Sequence, residues 1–465
     1  MTQRQPDKQI RPPIAASLVT LSPRHPVAPP LHPLLNIQHP TSDIPHLYIH
    51  TPFCIHKCHY CDFYSFVDNR DQQGAFVDRL IDELRVLAPH AGPLQTVFVG
   101  GGTPSLLRID LWQRLLRALE DLFDLSIIRR EWQPEHADPW RPVECGEFTV
   151  ECNPESATPD LLATLRAGGV NRVSIGAQSF IDRHLKTLER WHNPDNVARA
   201  VESARRAGIP RQSIDLIFAI PGQTLDEWDS DLRRALDLNT THLSCYSLTY
   251  EPNTAMTRRL KLGEFTPCPE ELEADMFRHT LSTLRGAGLE RYEVSNFARP
   301  GHESRHNIAY WIQAPWLAAG PSASGHVLSP SQSRERKLGS PEPRREKRAA
   351  EPPTSWRFKN VPRLGDYVKS TGLSPVTEVE PPDPLRLIRE RIMMGLRLEA
   401  GLEIAPIVAE LQSLSPVSAA RLDRTARAQS ELGNLTLSPT RWTLTDDGFL
   451  HADGIAAALM DAVRG

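Results

Sequence analysis

Three cysteines lie close together near the start of the chain, in the stretch YIHTPFCIHKCHYCDFYSF that covers residues 48–66. Cys54, Cys58 and Cys61 have the spacing C-x3-C-x2-C. Three thiolates on one loop favour a single iron–sulfur cluster. A cubane cluster has four irons, so three protein ligands would keep one iron open to a ligand from outside the protein.

A zinc site is the alternative for the same thiolates, because structural zinc takes four protein ligands. The fourth ligand would come from a neighbouring histidine, His50, His56 or His59. Against zinc, aromatic side chains surround the cysteines with apolar surface that suits a cluster shielded from water. These aromatic residues are Phe53, Tyr60, Phe63 and Tyr64. The cluster is therefore the favoured interpretation.

Polar and glycine-rich segments follow at the ends of predicted strands. In the run GGGTP at residues 100–104, glycines allow a ligand to approach the backbone closely. Glu151, Gln178, Arg190 and Asp215 lie at or soon after the later strands. Each residue alone is explained by a structural hydrogen bond or ion pair. Together, on successive strand ends, they predict one polar cavity.

Six predicted strands alternate with amphipathic helices. The strands cover residues 47–50, 96–100, 148–151, 172–176, 214–219 and 242–248. A helix after the first strand has apolar residues at Phe76, Leu80, Leu84 and Leu87, and further helices are predicted at 111–123 and 159–167. This alternation predicts an α/β fold with parallel strands, closing as a partial (β/α)6 barrel of the TIM type. Chemistry in such barrels lies at the C-terminal ends of the strands.

The remaining segments are assigned from composition. Residues 1–45 carry ten of the 41 prolines and are predicted to be a disordered leader before a core barrel at 46–326. A shorter insert is predicted at 128–146. Residues 327–355 are predicted to be a disordered insert, whose mixed charges favour a solvated loop over a nucleic-acid or lipid patch. A connecting segment at 356–383 leads to a small winged-helix-like α+β domain at 384–465. Its predicted elements are a helix with an apolar stripe at Leu385, Ile388, Ile392 and Leu396, a second helix near 404–411, a hairpin at 435–444 and a last helix at 455–463.

Length, charge and cysteine content limit the classes of protein to which the chain can belong. A length of 465 residues indicates one large domain and a smaller one. The net charge of -4 offers no broad basic surface, so nucleic acid is not an expected partner. Seven cysteines, with three of them clustered, indicate metal ligation in a reducing compartment. No apolar run is long enough to span a bilayer, so a cytoplasmic location is expected.

These motifs together, with ECNP, GAQSF and DLIFAIPGQT, resemble the oxygen-independent coproporphyrinogen III oxidase-like branch of the radical SAM superfamily. The resemblance covers residues 48–325 and resumes at about 356. It implies that Cys54, Cys58 and Cys61 hold a [4Fe-4S] cluster whose open iron binds S-adenosylmethionine (SAM). It also implies a SAM pocket made of Tyr48, Tyr60, Gly101, Gly102, Thr103, Glu151, Gln178, Arg190, Asp215 and Thr249.

Two functions compete within that branch. The oxidases carry another cysteine two positions after the third ligand, whereas this chain has Phe63 there. The heme chaperones have an aromatic residue at that position and an HNxxYW motif, which appears here as His306, Asn307, Tyr310 and Trp311. The resemblance therefore implies a heme chaperone that delivers heme to an apo-hemoprotein such as a membrane-bound respiratory protein, with a homodimer as one option. The alternatives are a coproporphyrinogen III oxidase and a radical SAM enzyme with another substrate.

The HNxxYW motif suits heme on physical grounds as well. A neutral imidazole at His306 can ligate iron, and Tyr310 and Trp311 offer flat surface for a porphyrin. The structural alternative is a buried histidine hydrogen-bonded beside core aromatic residues. Cys245 and the other histidines are further candidates for the iron ligand. The run SASGH at 322–326, beside the motif, departs from the more glycine-rich run that the resemblance implies.

Overall fold

The computed structural model describes residues 32, 34, 43–132, 145–329 and 354–464 of the chain. Its strands are β1 (Ile44–Thr51), β2 (Phe53–Cys54), β3 (Phe66–Val67), β4 (Ala91–Gly101), β5 (Glu147–Cys152), β6 (Arg172–Gln178), β7 (Arg211–Phe218), β8 (His242–Ser247), β9 (Glu290–Glu293), β10 (Asn296–Ala298), β11 (Leu317–Ala319), β12 (Ser324–Ser329), β13 (Thr354–Asn360), β14 (Val376–Glu380), β15 (Leu402–Glu403), β16 (Leu435–Leu437) and β17 (Arg441–Leu444). Its α-helices are Gln73–Leu87, Ile109–Leu122, Pro159–Ala167, Asp182–Thr187, Asp195–Arg206, Leu225–Asp237, Ala255–Lys261, Glu270–Gly286, Arg305–Trp311, Leu364–Lys369, Pro384–Leu396, Ile404–Leu414, Pro416–Glu431, Asp446–Leu450 and Ala452–Ala462. Short 3-10 helices occupy Ala88–His90 and Pro104–Leu106.

The main sheet contains all six strands that the sequence predicts. Its order is β11-β1-β4-β5-β6-β7-β8-β10-β9, and the six strands from β1 to β8 in this order are parallel neighbours. Helices connect them along the chain, which confirms the α/β class and the partial (β/α)6 barrel. Shorter strands extend both edges: β11 pairs parallel with β1, and β10 pairs antiparallel with β8.

Apolar and polar residues alternate along the barrel strands, because successive side chains of a strand point to opposite sides of the sheet. One set packs against the surrounding helices in the main core, and includes Leu47, Ile49, Val97, Val99, Phe148, Val150, Val173, Ile175, Ile214 and Leu216. The other set is polar and bonds across neighbouring strands. Ser174 Oγ donates to the Asp215 carboxylate at 3.0 Å, and Ser213 Oγ lies 2.7 Å from His242 Nδ1. The barrel interior is therefore polar.

Glu147, the first residue of β5, holds the N-terminal end of the barrel together. Its carboxylate lies 3.7 Å from Arg172 Nη1 and 3.5 Å from Arg211 Nη1 on the next two strands. It also accepts hydrogen bonds from the backbone N–H groups of Arg305 and His306. Burial acts to raise the pKa of Glu147, but the two guanidinium groups outweigh burial and lower it below its ordinary value. One carboxylate thus fixes the helix of the HNxxYW motif against the barrel.

A second buried carboxylate, Glu83, joins the barrel to the segment that follows it. It accepts hydrogen bonds from the Gly320 backbone N–H at 2.9 Å, Asn360 Nδ2 at 3.1 Å, Tyr367 Oη at 2.6 Å and the Ser374 backbone N–H at 3.2 Å. These partners come from separate stretches of chain, and the one carboxylate satisfies buried donors from all of them. Glu83 therefore positions the antiparallel sheet of β12, β13 and β14 beside the barrel.

Several predicted boundaries are wrong in the segments assigned from composition. Residues 327–329 and 354–355 of the predicted insert are paired in β12 and β13, and the predicted connecting segment contains β13, a helix and β14. The predicted leader overlaps β1, which begins at Ile44. Charge and proline content dominate a composition argument, whereas backbone pairing with a distant strand sets these boundaries. Residues 330–353, most of the leader and 133–144 of the insert predicted at 128–146 lie outside the described residues.

The C-terminal part forms a core of its own from helices and the antiparallel sheet β15-β17-β16. The predicted helical stripe of Leu385, Ile388, Ile392 and Leu396 lies on the helix Pro384–Leu396, and the predicted hairpin is β16 with β17. The helix Pro416–Glu431 is not predicted from the sequence. It begins at the proline of a Ser-Pro pair, which is typical of a loop. No helix in the described part of the chain is long and apolar enough to cross a membrane.

Replacing Glu147 with glutamine is expected to destabilise the fold by about 3–5 kcal/mol, because two buried guanidinium groups lose their carboxylate. The midpoint of urea unfolding measures the effect. The control is Glu120→Gln, which alters an exposed pair with Arg129 and is expected to cost at most about 1 kcal/mol. Equal midpoints for the two variants would contradict the role given to Glu147.

Candidate functional site

A cavity of about 960 Å³ opens at the C-terminal ends of the barrel strands. The cysteine loop forms one side of it, and strand ends of the barrel form its floor. Residues of the C-terminal domain, including Phe449 and His451, form another wall. A cavity of this size falls within the range of ligand-binding sites.

The three cysteines face this cavity and are partly exposed. Thr103 Oγ1 lies 3.6 Å from Cys54 Sγ, and Arg190 Nη1 lies 3.8 Å from Cys58 Sγ. The backbone N–H of Cys61 donates to the Cys58 carbonyl at 3.3 Å, which folds the loop into a turn. Hydrogen-bond donors next to sulfur stabilise thiolates, so this arrangement favours metal ligation.

Each of the three histidines of the zinc alternative contacts another group of the protein. His50 Nε2 is bonded to a backbone carbonyl at 2.8 Å, the His56 ring stacks on Trp191 with centroids 4.4 Å apart, and His59 Nδ1 lies 3.2 Å from Arg259 Nη1. Within the part of the chain that the structure describes, no three His, Cys, Asp or Glu side chains converge on a point that could hold one metal ion. A cubane needs no such convergence, because each thiolate binds a different iron.

The glycine run brings backbone close to the cysteine loop. Gly101 has φ +107°, a conformation that side chains disfavour, and its N–H donates to Glu151 Oε2 at 3.1 Å. A Cβ at Gly102 would lie 2.6 Å from the carbonyl oxygen of Phe53, at the start of the cysteine loop. The glycines are therefore required for β4 to end directly against the loop.

Buried carboxylates and one guanidinium form the floor. Burial, with the nearby charge of Asp215, raises the pKa of Glu151 to about 8. Burial also raises the pKa of Asp215. Arg190 Nη2 donates to the Gly176 carbonyl at 2.9 Å, while its buried Nε has no protein partner among the described residues. Perturbed carboxylates and an unpaired donor in one cavity are typical of a binding site.

The structure brings nine of the ten residues of the predicted SAM pocket to this cavity. These are Tyr60, Gly101, Gly102, Thr103, Glu151, Gln178, Arg190, Asp215 and Thr249. Tyr48 is the exception: its Oη lies 3.0 Å from His50 Nδ1, deeper in the barrel and outside the cavity lining. Their role in SAM binding stays a prediction.

The HNxxYW motif lies on the helix Arg305–Trp311, behind the cavity wall. His306 is 1% exposed, its Nδ1 is 2.6 Å from Thr96 Oγ1, and burial lowers its pKa to about 3. Its ring lies 4.7 Å, centroid to centroid, from that of Tyr310. Asn307 Nδ2 donates to Tyr292 Oη at 3.3 Å. The neutral imidazole is thus enclosed, as in the structural alternative, and heme would reach it only if this helix moved.

No sequence pattern predicts the cavity wall that the C-terminal domain supplies. Arg397, Phe449, His451 and Asp453 line the cavity together with Phe277 of the barrel. Their positions in the sequence give no local signal, since they follow ordinary helices of a separate core. The SASGH run forms a turn into β12, with Ser322 at φ +64°, and does not line this cavity.

The raised pKa of Glu151 predicts a pH dependence of stability. Since its pKa of about 8 in the fold exceeds the ordinary 4.5, the native chain binds more protons between these values. The free energy of unfolding contributed by Glu151 therefore falls as pH rises through that window, by at most about 1.4 kcal/mol per pH unit. Urea unfolding at several pH values without SAM measures it. Glu151→Gln should flatten the dependence, whereas Glu202→Gln on the surface should leave it unchanged.

Comparison with known proteins agrees with this geometry. The Radical SAM superfamily model matches residues 48–235, and the HemN C-terminal domain model matches 383–451. Heme chaperone HemW of Lactococcus lactis is 32% identical over 76% of this chain and 82% of its own length. Heme chaperone HemW of Mycobacterium tuberculosis is 32% identical over 89% of this chain and 94% of its own length.

A solved structure, coproporphyrinogen III oxidase (HemN) from Escherichia coli, covers 92% of both chains with a TM-score of 0.71. At 22% identity this likeness shows a common fold. The fold, the two matching family models and the relatives over most of their length agree with one another. The chain belongs to the radical SAM superfamily and, within it, to the family of the heme chaperone HemW.

Proposed function

We propose that this protein is a heme chaperone, which binds heme beside a SAM-liganded [4Fe-4S] cluster and delivers heme to apo-hemoproteins. The observation that carries the proposal is Phe63. This residue lines the cavity beside the three cysteines and is 59% exposed, at the position where the oxidases have another cysteine. An exposed aromatic ring there provides apolar surface for a porphyrin and supplies no thiol. The relatives named heme chaperone HemW support the same function.

The cavity fits the cofactors that the superfamily implies. Cys54, Cys58 and Cys61 would hold the cluster, and SAM on its fourth iron would supply one-electron chemistry. A Cβ at Gly101 or Gly102 would collide with the His50 ring or the Phe53 backbone, so only glycine allows this backbone to lie between the cysteine loop and the cavity that it lines. The buried Arg190 Nε offers a hydrogen-bond donor toward the same space.

The remaining parts of the proposal concern location and partners. We place the protein in the cytoplasm, because its clustered cysteines suit a reducing compartment. The acceptor we propose is a membrane-bound respiratory hemoprotein, and a homodimer is the assembly to test first. A net charge of -4 gives no electrostatic reason for nucleic acid to bind.

Coproporphyrinogen III oxidase is the second candidate, favoured by the common fold over 92% of both chains. The two functions differ in what happens to the porphyrin. A chaperone binds heme without changing it, whereas the oxidase decarboxylates propionate side chains of its substrate. Turnover of coproporphyrinogen III by the reconstituted chain would favour the oxidase.

Replacing Cys58 with alanine is expected to remove most bound iron, because a cubane needs all three thiolates for stable binding. After anaerobic reconstitution, the native chain should hold about four irons per chain. The control is Cys268→Ala, a cysteine that shares no ligand spacing with the others, and it should keep the native iron content. A full cluster in Cys58→Ala would overturn the assignment of the ligands.

Hemin is expected to bind saturably to the reconstituted chain, as followed anaerobically in the Soret region. The same titration of His306→Ala tests the HNxxYW motif as the iron site. Because His306 is enclosed, thermal unfolding of the variant is measured alongside. Weaker binding in a folded variant supports the motif, and unchanged binding places heme elsewhere. Absence of saturable hemin binding to the native chain would reject the chaperone function.

A further inference from the structure

One wall of the cavity has a composition that neither the cluster nor SAM explains. Phe277, Val294, Phe449 and Leu450 give it an apolar surface at the junction of the barrel and the C-terminal domain. Phe449 is held there because the guanidinium of Arg291 lies 3.7 Å from the centre of its ring. Flat apolar residues of this kind suit a large planar ligand.

Arg397 lies on the same wall, with a side chain 18% exposed. Its Nη2 forms an ion pair with Asp453, whose own side chain is 85% exposed, and its Nη1 donates to the Met393 carbonyl at 2.9 Å. The other cations among the described lining residues, Lys57 and Arg190, lie at the cysteine loop. Arg397 is therefore the guanidinium available to a ligand on the apolar wall.

We propose that Arg397 binds a propionate carboxylate of heme while the porphyrin lies against this apolar wall. The inference rests on the proposed function and deepens it, because it names the group by which the cargo is recognised. Heme combines a flat apolar ring with two carboxylates at one edge, which matches an apolar wall with a guanidinium at its border. Arginine pairs with carboxylates through two parallel hydrogen bonds, so it fixes the orientation of the ring as well as its position.

Asp453 acts in this scheme as an internal substitute for the propionate. With no heme bound, its carboxylate satisfies the partly buried guanidinium. Because the Asp453 side chain is 85% exposed, water can solvate its carboxylate once a propionate takes its place on Arg397, so the exchange costs little. Removing the charge of Asp453 should therefore strengthen heme binding, which is opposite to the effect of damage to the fold.

The HNxxYW motif reaches the cavity through this arginine. The Arg397 guanidinium lies 5.9 Å from the centre of the Trp311 ring, the last residue of the motif helix. The other end of that helix is fixed by Glu147 at the barrel base. The motif helix thus ends beside Arg397, at the border of the apolar wall.

The test compares hemin with hemin dimethyl ester, whose propionates are esterified and carry no charge. Both are titrated anaerobically into the cluster-reconstituted full chain and followed in the Soret region. Four variants accompany the native chain: Arg397→Ala, Arg397→Lys, Asp453→Asn and the control Arg427→Ala. Arg427 belongs to the same domain and pairs with Asp423 on the surface, 68% exposed.

The native chain is expected to bind hemin at least about tenfold more tightly than the ester. Arg397→Ala should weaken hemin binding by about 10- to 100-fold and change ester binding less than about twofold. Arg397→Lys should be intermediate, because it keeps the charge and loses the paired geometry. Asp453→Asn should strengthen hemin binding, and Arg427→Ala should match the native chain.

The inference is overturned if Arg397→Ala keeps the native preference for hemin over the ester. If Arg397→Ala fails to fold, Asp453→Asn decides instead, and an unchanged hemin affinity in that variant rejects the pairing. Saturable hemin binding that all variants share would leave the chaperone function standing and remove Arg397 from the site. Failure of the native chain to bind either probe would reject the proposed function together with this inference.

Discussion

The buried carboxylate of Glu147 is the interaction on which the arrangement of the barrel depends. It neutralises two arginines of neighbouring strands and accepts hydrogen bonds from the start of the motif helix. Three buried charges at one point are tolerated only when each is paired and hydrogen-bonded. The first residues of this helix bond to Glu147, and its last residue, Trp311, lies beside Arg397. The helix therefore connects the base of the barrel to the cavity wall.

The polar barrel interior also contains two buried carboxylates at the C-terminal ends of the strands. Among the described residues, no cationic side chain bonds to the buried Glu151 or Asp215, and burial raises the pKa of each. A cavity with buried carboxylates and a guanidinium beside the cysteines offers hydrogen-bonding groups at fixed positions. Such preorganisation suits a polar, zwitterionic ligand next to a metal cluster, since the groups need no rearrangement on binding.

The barrel and the C-terminal domain both line the cavity, and they contribute different kinds of residue to it. The barrel supplies cysteines, glycine backbone and carboxylates, whereas the C-terminal domain supplies apolar surface and Arg397. Ion pairs of Arg285 and Arg291 with Asp446 hold the two parts together at this boundary. A change in the position of the C-terminal domain would therefore alter the proposed cargo site while the cysteine loop stayed intact. This separation is suited to a protein that must bind a cargo and later release it.

The sequence by itself determined the parallel barrel, its six strands and the place of the cysteines, because these depend on local periodicity and short spacing. It predicted the six parallel barrel strands, with limits up to five residues from the observed ones, and nine residues that meet in one cavity. Only the tertiary structure decided that His306 is enclosed, that Tyr48 lies below the cavity and that Arg397 faces it. The physical reason is that burial and cavity walls arise from packing between segments far apart in the chain, which no local pattern encodes.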